Sequence, residues 1–307
     1  MRGMESLGAG IYRRREGPAD AVRLVLERLS REQNELLGND MVGDDGRLRM
    51  ENFSREQGGH LSAEQVSECE QRVQEREISW SPLMNEQSRE FHMQKYGLTE
   101  AGRDRQEVDA ELLARWRTER EVSDTALTEV AVTASLARAL KGEFTVVRSS
   151  AYDDYEHGVD QLIVHRGTGE VVAAFDEVTE SASAARHAGK QEKIMKLARG
   201  GGTQVTFGIG YSEGQVVRRS FRGVPVFALA VAKGEAREVL LDIAARLDAE
   251  PGDKEAEFVS KLLNALREQQ HRLLSDQGVP EEMRQTLASF GKVLEKASLG
   301  RAQRAAA

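Results

Sequence analysis

Residues 152–179 read YDDYEHGVDQLIVHRGTGEVVAAFDEVT. Two short apolar runs, VDQLIVH and VVAAF, stand on either side of a turn marked by Gly167 and Gly169, which predicts a β-hairpin. Asp160 opens the first run, and Asp176 with Glu177 closes the second. Folding the hairpin therefore brings acids that are distant in sequence to the same level. Carboxylates gathered in a partly buried cleft repel one another and favour protonation, so the usual reasons for keeping them are a bound cation or a general-base role.

The surrounding elements extend this pattern in both directions. Upstream, DTALTEVAVTASLARALKG (124–142) offers Asp124 as an N-cap, apolar residues on most faces and Gly142 at its end, so it predicts a largely buried helix. FTVVRS then predicts a strand before the hairpin. Downstream come a helix in SASAARHAGKQEKIMKLARG and a strand in TQVTFGIG. The order is helix, three strands, helix, strand. A second hairpin is expected from QVVRRSF and VPVFALAV around Arg222 and Gly223, followed by a helix from about Glu235 to Leu247.

This order, with acids at Glu129, Asp160 and Asp176/Glu177, resembles the PD-(D/E)XK, or restriction-endonuclease-like, nuclease superfamily over residues 124 to about 210. The resemblance implies an α/β fold with a central mixed sheet flanked by helices. It also implies that Glu129 on the first helix, Asp160 and Glu177 bind one or two Mg2+ (or Mn2+) ions, with Asp176 as the neighbour able to replace Glu177. Magnesium takes hard oxygen ligands and keeps several waters, so two or three carboxylates suffice to hold it while it polarises a phosphodiester and activates water. The family's lysine would stand two positions after the strand acid, where this chain has Thr179. Threonine supplies no positive charge to a phosphate. Some members of the superfamily place the lysine on the following helix, which here offers Lys190 and Lys193, three residues apart and so on a similar face. The residue before Asp160 is Val159 instead of the motif's proline.

Other polar residues have simpler readings. Asp153 and Asp154 fall in an expected loop, where Asp caps turns through its own backbone or joins the acid set. His157 and His165 read as loop and strand-surface residues, because no second His or Cys stands at zinc-like spacing. Arg199 with Gly200–Gly202 ends a helix and leads into a strand, the reverse of a phosphate-cradling loop, and reads as a C-cap. Arg218, Arg219 and Arg222 decorate a hairpin and serve either a phosphate backbone or plain solubility.

The flanks are helical. Residues 1–120 read as a helical N-terminal region: a helix starts near Pro18 with Val22, Val25, Leu26, Leu29 and Leu36 at helical spacing, Ser62 and Gln65 form a capping box, and a further helix covers Glu86 to Tyr96. Residues 38–60 look too polar for a core and are expected to form a loop or linker. The α/β core occupies 121–249. Residues 250–307 form a C-terminal helical hairpin whose stripes, Phe258, Leu262, Leu266, Leu273 and Met283, Leu287, Phe290, Leu294, make a packing face or a homo-oligomer interface.

Composition narrows the class. Of 307 residues, 39% are hydrophobic and 31% charged, and no apolar run approaches a membrane span, so a soluble globular chain is expected. A single cysteine, Cys69, excludes an internal disulfide, and the start MRGMESLGAG has no apolar signal region, so a cytoplasmic setting is expected. The net charge of -8 disfavours non-specific nucleic-acid binding without excluding a local basic face. The expected function is metal-dependent phosphodiester hydrolysis on nucleic acid, of the DNA-cleaving kind; the alternative is a nuclease-fold binding or assembly module without catalysis.

Overall fold

The computed structural model describes residues 17–38, 40–179 and 184–305. The start of the chain, on which the absence of a signal region was read, lies outside them. So does the side chain of Thr179.

The core is a mixed α/β arrangement. Helix α5 (Asp124–Ala139) leads into β1 (Phe144–Arg148), β2 (Gln161–His165) and β3 (Val171–Thr179), an antiparallel meander. Helix α6 (Ala184–Arg199) follows, and β6 (Val226–Val231) then joins the sheet parallel to β3, giving the order β1-β2-β3-β6. Parallel neighbours require a crossover, which α6 begins. The 152–179 hairpin forms as expected, with Gln161 opposite Phe175. At its turn Gly169 has φ +70°, and a Cβ there would run into the backbone of Tyr211, so glycine meets both a conformational and a steric requirement.

The strand that completes the sheet is not the expected one. TQVTFGIG falls in β4 (Thr203–Ser212), which pairs with β5 (Gln215–Val224) in a separate two-stranded sheet turned at Glu213 and Gly214. The expected hairpin around Arg222 and Gly223 does not form; β5 runs through both residues. Burial accounts for the choice. VFALAV is a continuous apolar run, suited to a parallel strand covered by helices, whereas β5 carries Arg218, Arg219 and Arg222 and stays largely solvated.

The reading of residues 38–60 also needs correction. Helix α1 (Pro18–Leu37) packs against α5 and α7 (Glu235–Ala245) and so belongs to the same body as the sheet. Residues 38–60 do not form a linker. Met41, Val42, Leu48, Met50 and Phe53 are buried, and the Phe53 ring meets Phe207 edge to face at 5.4 Å. Few apolar side chains are present, but nearly all of them insert into the core.

Helices α2 (Ala63–Trp80), α3 (Glu86–Tyr96) and α4 (Arg105–Glu121) form the rest of the N-terminal part. The capping box on α2 is present: Ser62 Oγ accepts from the Gln65 N–H and Gln65 Oε1 from the Ser62 N–H. Helix α4 was not expected; Val108, Leu112 and Trp116, four residues apart, form its buried stripe in a highly charged segment. Helices α8 (Asp253–Ser275) and α9 (Glu281–Ala305) bury their apolar stripes within the chain. Phe290 sits 4.7 Å from Phe227 and 6.3 Å from Phe175, ring centre to ring centre, so α9 covers the β3–β6 pair. These stripes serve packing. Among the described residues no helix is long and apolar enough to cross a membrane.

Candidate functional site: a buried acid pair edged by lysines and arginines

The hairpin register decides the centre of the site. Asp160 donates its N–H to Phe175 O (2.7 Å), which sets it beside the end of β3, and its Oδ2 accepts the Glu177 N–H at 2.7 Å. Both acids are buried, at 8% and 6% exposure. Among the described residues neither Glu177 carboxyl oxygen has a hydrogen-bond donor, an arrangement that is costly for a carboxylate. Burial, with the charges of Glu129 and Asp176, pushes Glu177 up to about 8. Burial also pushes Asp160 well above the carboxylate range, with Glu177, Asp154 and Glu129 adding to it. With Glu177 raised to about 8, its carboxyl keeps a proton near neutral pH.

Neighbouring residues on a strand point to opposite faces, which separates Asp176 from Glu177. Asp176 meets α6. Lys190 Nζ donates to Asp176 Oδ1 and, at 2.7 Å, to the Glu177 backbone carbonyl, and Lys193 Nζ lies 3.6 Å from Asp176 Oδ2. Lys193 also closes over Gly158, whose φ of +62° and missing Cβ leave room for the ammonium. Both lysines named from sequence therefore reach Asp176, on the face of β3 opposite the Glu177 carboxyl. Asp176 is occupied by them, whereas the Glu177 oxygens are free, which makes Glu177 the better cation ligand of the two.

Glu129 approaches from α5 and is engaged by two arginines. Arg148 Nη2 lies 2.5 Å and Arg47 Nη2 3.1 Å from Glu129 Oε2, and Arg47 Nη2 also lies 2.8 Å from Asp154 Oδ2. Burial opposes ionisation of Glu129, but Arg148 and Arg47 outweigh it and hold the carboxyl below its usual range. Its charge still acts on Asp160 and Glu177. The two arginines were missed in the sequence. Arg148 closes a buried strand, a position where arginine needs a partner, and that signal was available; Arg47 lies in the segment dismissed as a linker.

The remaining candidates have structural roles. Asp153 is fully buried and accepts from the Thr206 N–H (2.7 Å), the Phe207 N–H (2.9 Å) and the Ser150 hydroxyl (2.8 Å), tying a π-helical turn at Asp153–His157 to β4. His157 contacts Thr206 Oγ1 at 3.3 Å. His165 accepts from the Thr168 N–H at 3.0 Å in the hairpin turn. Gly201 and Gly202 have positive φ and cap α6, as expected. Arg219 stacks over Phe221 and donates to Gly169 O (3.2 Å), and Arg218 lies 3.1 Å from Met41 Sδ, so two of the three hairpin arginines hold structure together.

Among the described residues, no three or more His, Cys, Asp or Glu side chains are grouped to hold a metal ion as the chain stands. The ready set is the pair Asp160 and Glu177, with Glu129 turned to arginines and Asp176 to lysines. A cleft of about 870 Å³ lies elsewhere, lined by residues such as Val25, Arg138, Phe144 and Ile243, and none of the acids faces it. The unpartnered carboxyl oxygens of Glu177 lie outside this cleft. Comparison with protein-family models, curated proteins and solved structures finds no match.

Proposed function

We propose that this protein is a metal-dependent phosphodiesterase that hydrolyses nucleic acid, with DNA as the expected substrate, built on a restriction-endonuclease-like core. The observation that carries this reading is the buried Asp160–Glu177 pair, with Asp160 accepting the Glu177 N–H, both Glu177 carboxyl oxygens without a donor among the described residues, and Lys190 on the Glu177 carbonyl. The succession α5, β1–β3, α6 and a strand parallel to β3 supports the fold part of the reading.

The donor set fits a hard divalent cation. Asp160 and Glu177 would hold Mg2+ or Mn2+ with waters and a substrate oxygen filling the remaining positions, and Glu129 and Asp176 would contribute charge from just outside; magnesium sites commonly use only one or two carboxylates. The ion would supply Lewis-acid polarisation of the phosphodiester and activation of water. Lys190, held on Asp176 and the Glu177 carbonyl, keeps the end of β3 in position and sets a positive charge beside the site. Lys193, with a half-exposed side chain, is placed to meet a phosphate and offset negative charge as it develops. Thus α6 supplies the charge that Thr179 lacks.

A second reading has its own support. The double pairing of Glu129 with Arg47 and Arg148 is self-sufficient without a cation, as expected of a nuclease-fold binding or assembly module. Incubation with labelled DNA and Mg2+ or Mn2+ separates the two. The phosphodiesterase reading expects cleavage that chelation and Asp160→Asn both abolish; intact DNA under both metals favours the binding module.

A further inference from the structure

Arg72, Arg76 and Trp80 stand four residues apart on α2 and therefore share one face. That face runs along the turn that follows Ser150. Arg72 Nη1 is 3.5 Å from the Tyr152 hydroxyl, Arg76 Nε is 3.3 Å from Glu156 Oε1, and the Trp80 and Tyr155 rings meet edge to face with centroids 5.2 Å apart. Tyr155 directly follows Asp154, which joins Arg47 and through it Glu129. The aromatic pair is thus connected to the acid site by consecutive residues and one buried arginine.

Two further observations point to what this surface binds. Trp80 is 52% exposed and lies between Ile78 and Met84, themselves half exposed, so a large ring fixed by Tyr155 presents itself to solvent. Arg120, at the end of α4, rests over the Trp116 ring at 4.8 Å and has no carboxylate partner among the described residues. Its charge reaches both Glu129 and Tyr155. An exposed aromatic ring, with a guanidinium on α4 whose charge reaches its Tyr155 partner, matches a nucleotide whose base face and phosphate are both available. Along a duplex the bases stay stacked inside, so only its two ends offer a face to Trp80.

We propose, building on the phosphodiesterase reading, that Trp80 and Tyr155 form a stacking platform for an unpaired nucleobase and that Arg120 binds a neighbouring phosphate, so the substrate is taken up as a single strand. The platform joins the end of α2 to the turn at Asp153–His157, which leads through Gly158 and Val159 to Asp160.

The test uses the full chain, a fluorescently labelled oligothymidylate and a blunt duplex of the same length, with anisotropy measured in calcium. Single strand is expected to bind more tightly than duplex. Trp80→Ala is expected to weaken it by about tenfold, as for the loss of one stacked base, while Trp80→Phe retains most of the affinity. Arg120→Gln is expected to lower the salt dependence by about one phosphate contact. Phe91→Ser, at an exposed aromatic on α3, should change nothing. The proposal is overturned if duplex binds as well as single strand, if Trp80→Ala binds like the parent, or if neither nucleic acid binds. Duplex cleavage with no Trp80 effect would remove the platform and leave the phosphodiesterase. Trp80-dependent binding of single strand without cleavage would do the reverse.

Discussion

Replacing Glu177 by Gln tests the electrostatics of the site without reference to a substrate. Raising a carboxyl from its ordinary 4.5 to about 8 makes its ionised form about 5 kcal/mol less favourable in the folded chain than in the unfolded one. The sign follows from proton binding. Below the unfolded value both states are protonated and the folded chain pays no penalty; as pH rises, the unfolded chain ionises first, and stability falls until the folded acid also ionises. The metal-free protein should therefore lose stability between about pH 4.5 and about pH 8, by up to about 5 kcal/mol. Relaxation around the site reduces that figure, and Asp160 titrates with Glu177 as a pair, so the slope belongs to both. For a chain of this size, each kcal/mol moves the melting temperature by about 2 °C, giving a fall of up to about 10 °C. Circular-dichroism melts in chelator across this range should show the decline in the parent and a flatter profile in Glu177→Gln, which keeps the part that burial of Asp160 contributes. Manganese should restore the parent most strongly at the alkaline end. A parent and variant with the same pH dependence would refute the reasoning.

Lys193→Met should remove DNA cleavage while manganese affinity changes by no more than a few fold, because the proposed role of this half-exposed lysine is at the phosphate and it is not a ligand; paired activity and calorimetry measurements check this. Arg47→Met leaves Glu129 and Asp154 with one guanidinium fewer in a buried setting and should cost about 3 kcal/mol in urea denaturation. An unchanged midpoint would mean that Arg148 alone suffices for Glu129.

The acid pair was legible because it depends on local rules. Period-two apolar runs, glycines in the turn and acids at the run ends set the 152–179 register, and register alone brings Asp160 to Glu177. Ser62 and Gln65 were equally readable, since a capping box is complete within four residues. What was not legible depends on distant partners. Whether TQVTFGIG or VFALAV joins β3 is decided by which strand the helices cover, and nothing within either segment states it. The inward turn of Met41, Leu48 and Phe53 likewise depends on a space made by α1, β1 and β4. Arg47 enters the site only because that segment folds in beside β1, where it pairs with Arg148 across an isolated bridge.

The central claim, that Asp160 and Glu177 form a cation site, is tested most directly by calorimetric titration with manganese in two buffers of different ionisation heat. With Glu177 near 8 and Asp160 also raised, binding around neutral pH must displace protons, so the parent should bind manganese and release at least one proton per ion. Asp160→Asn, which keeps the shape and loses the charge, should not bind. Absence of binding by the parent, or undiminished binding by Asp160→Asn, would contradict the account.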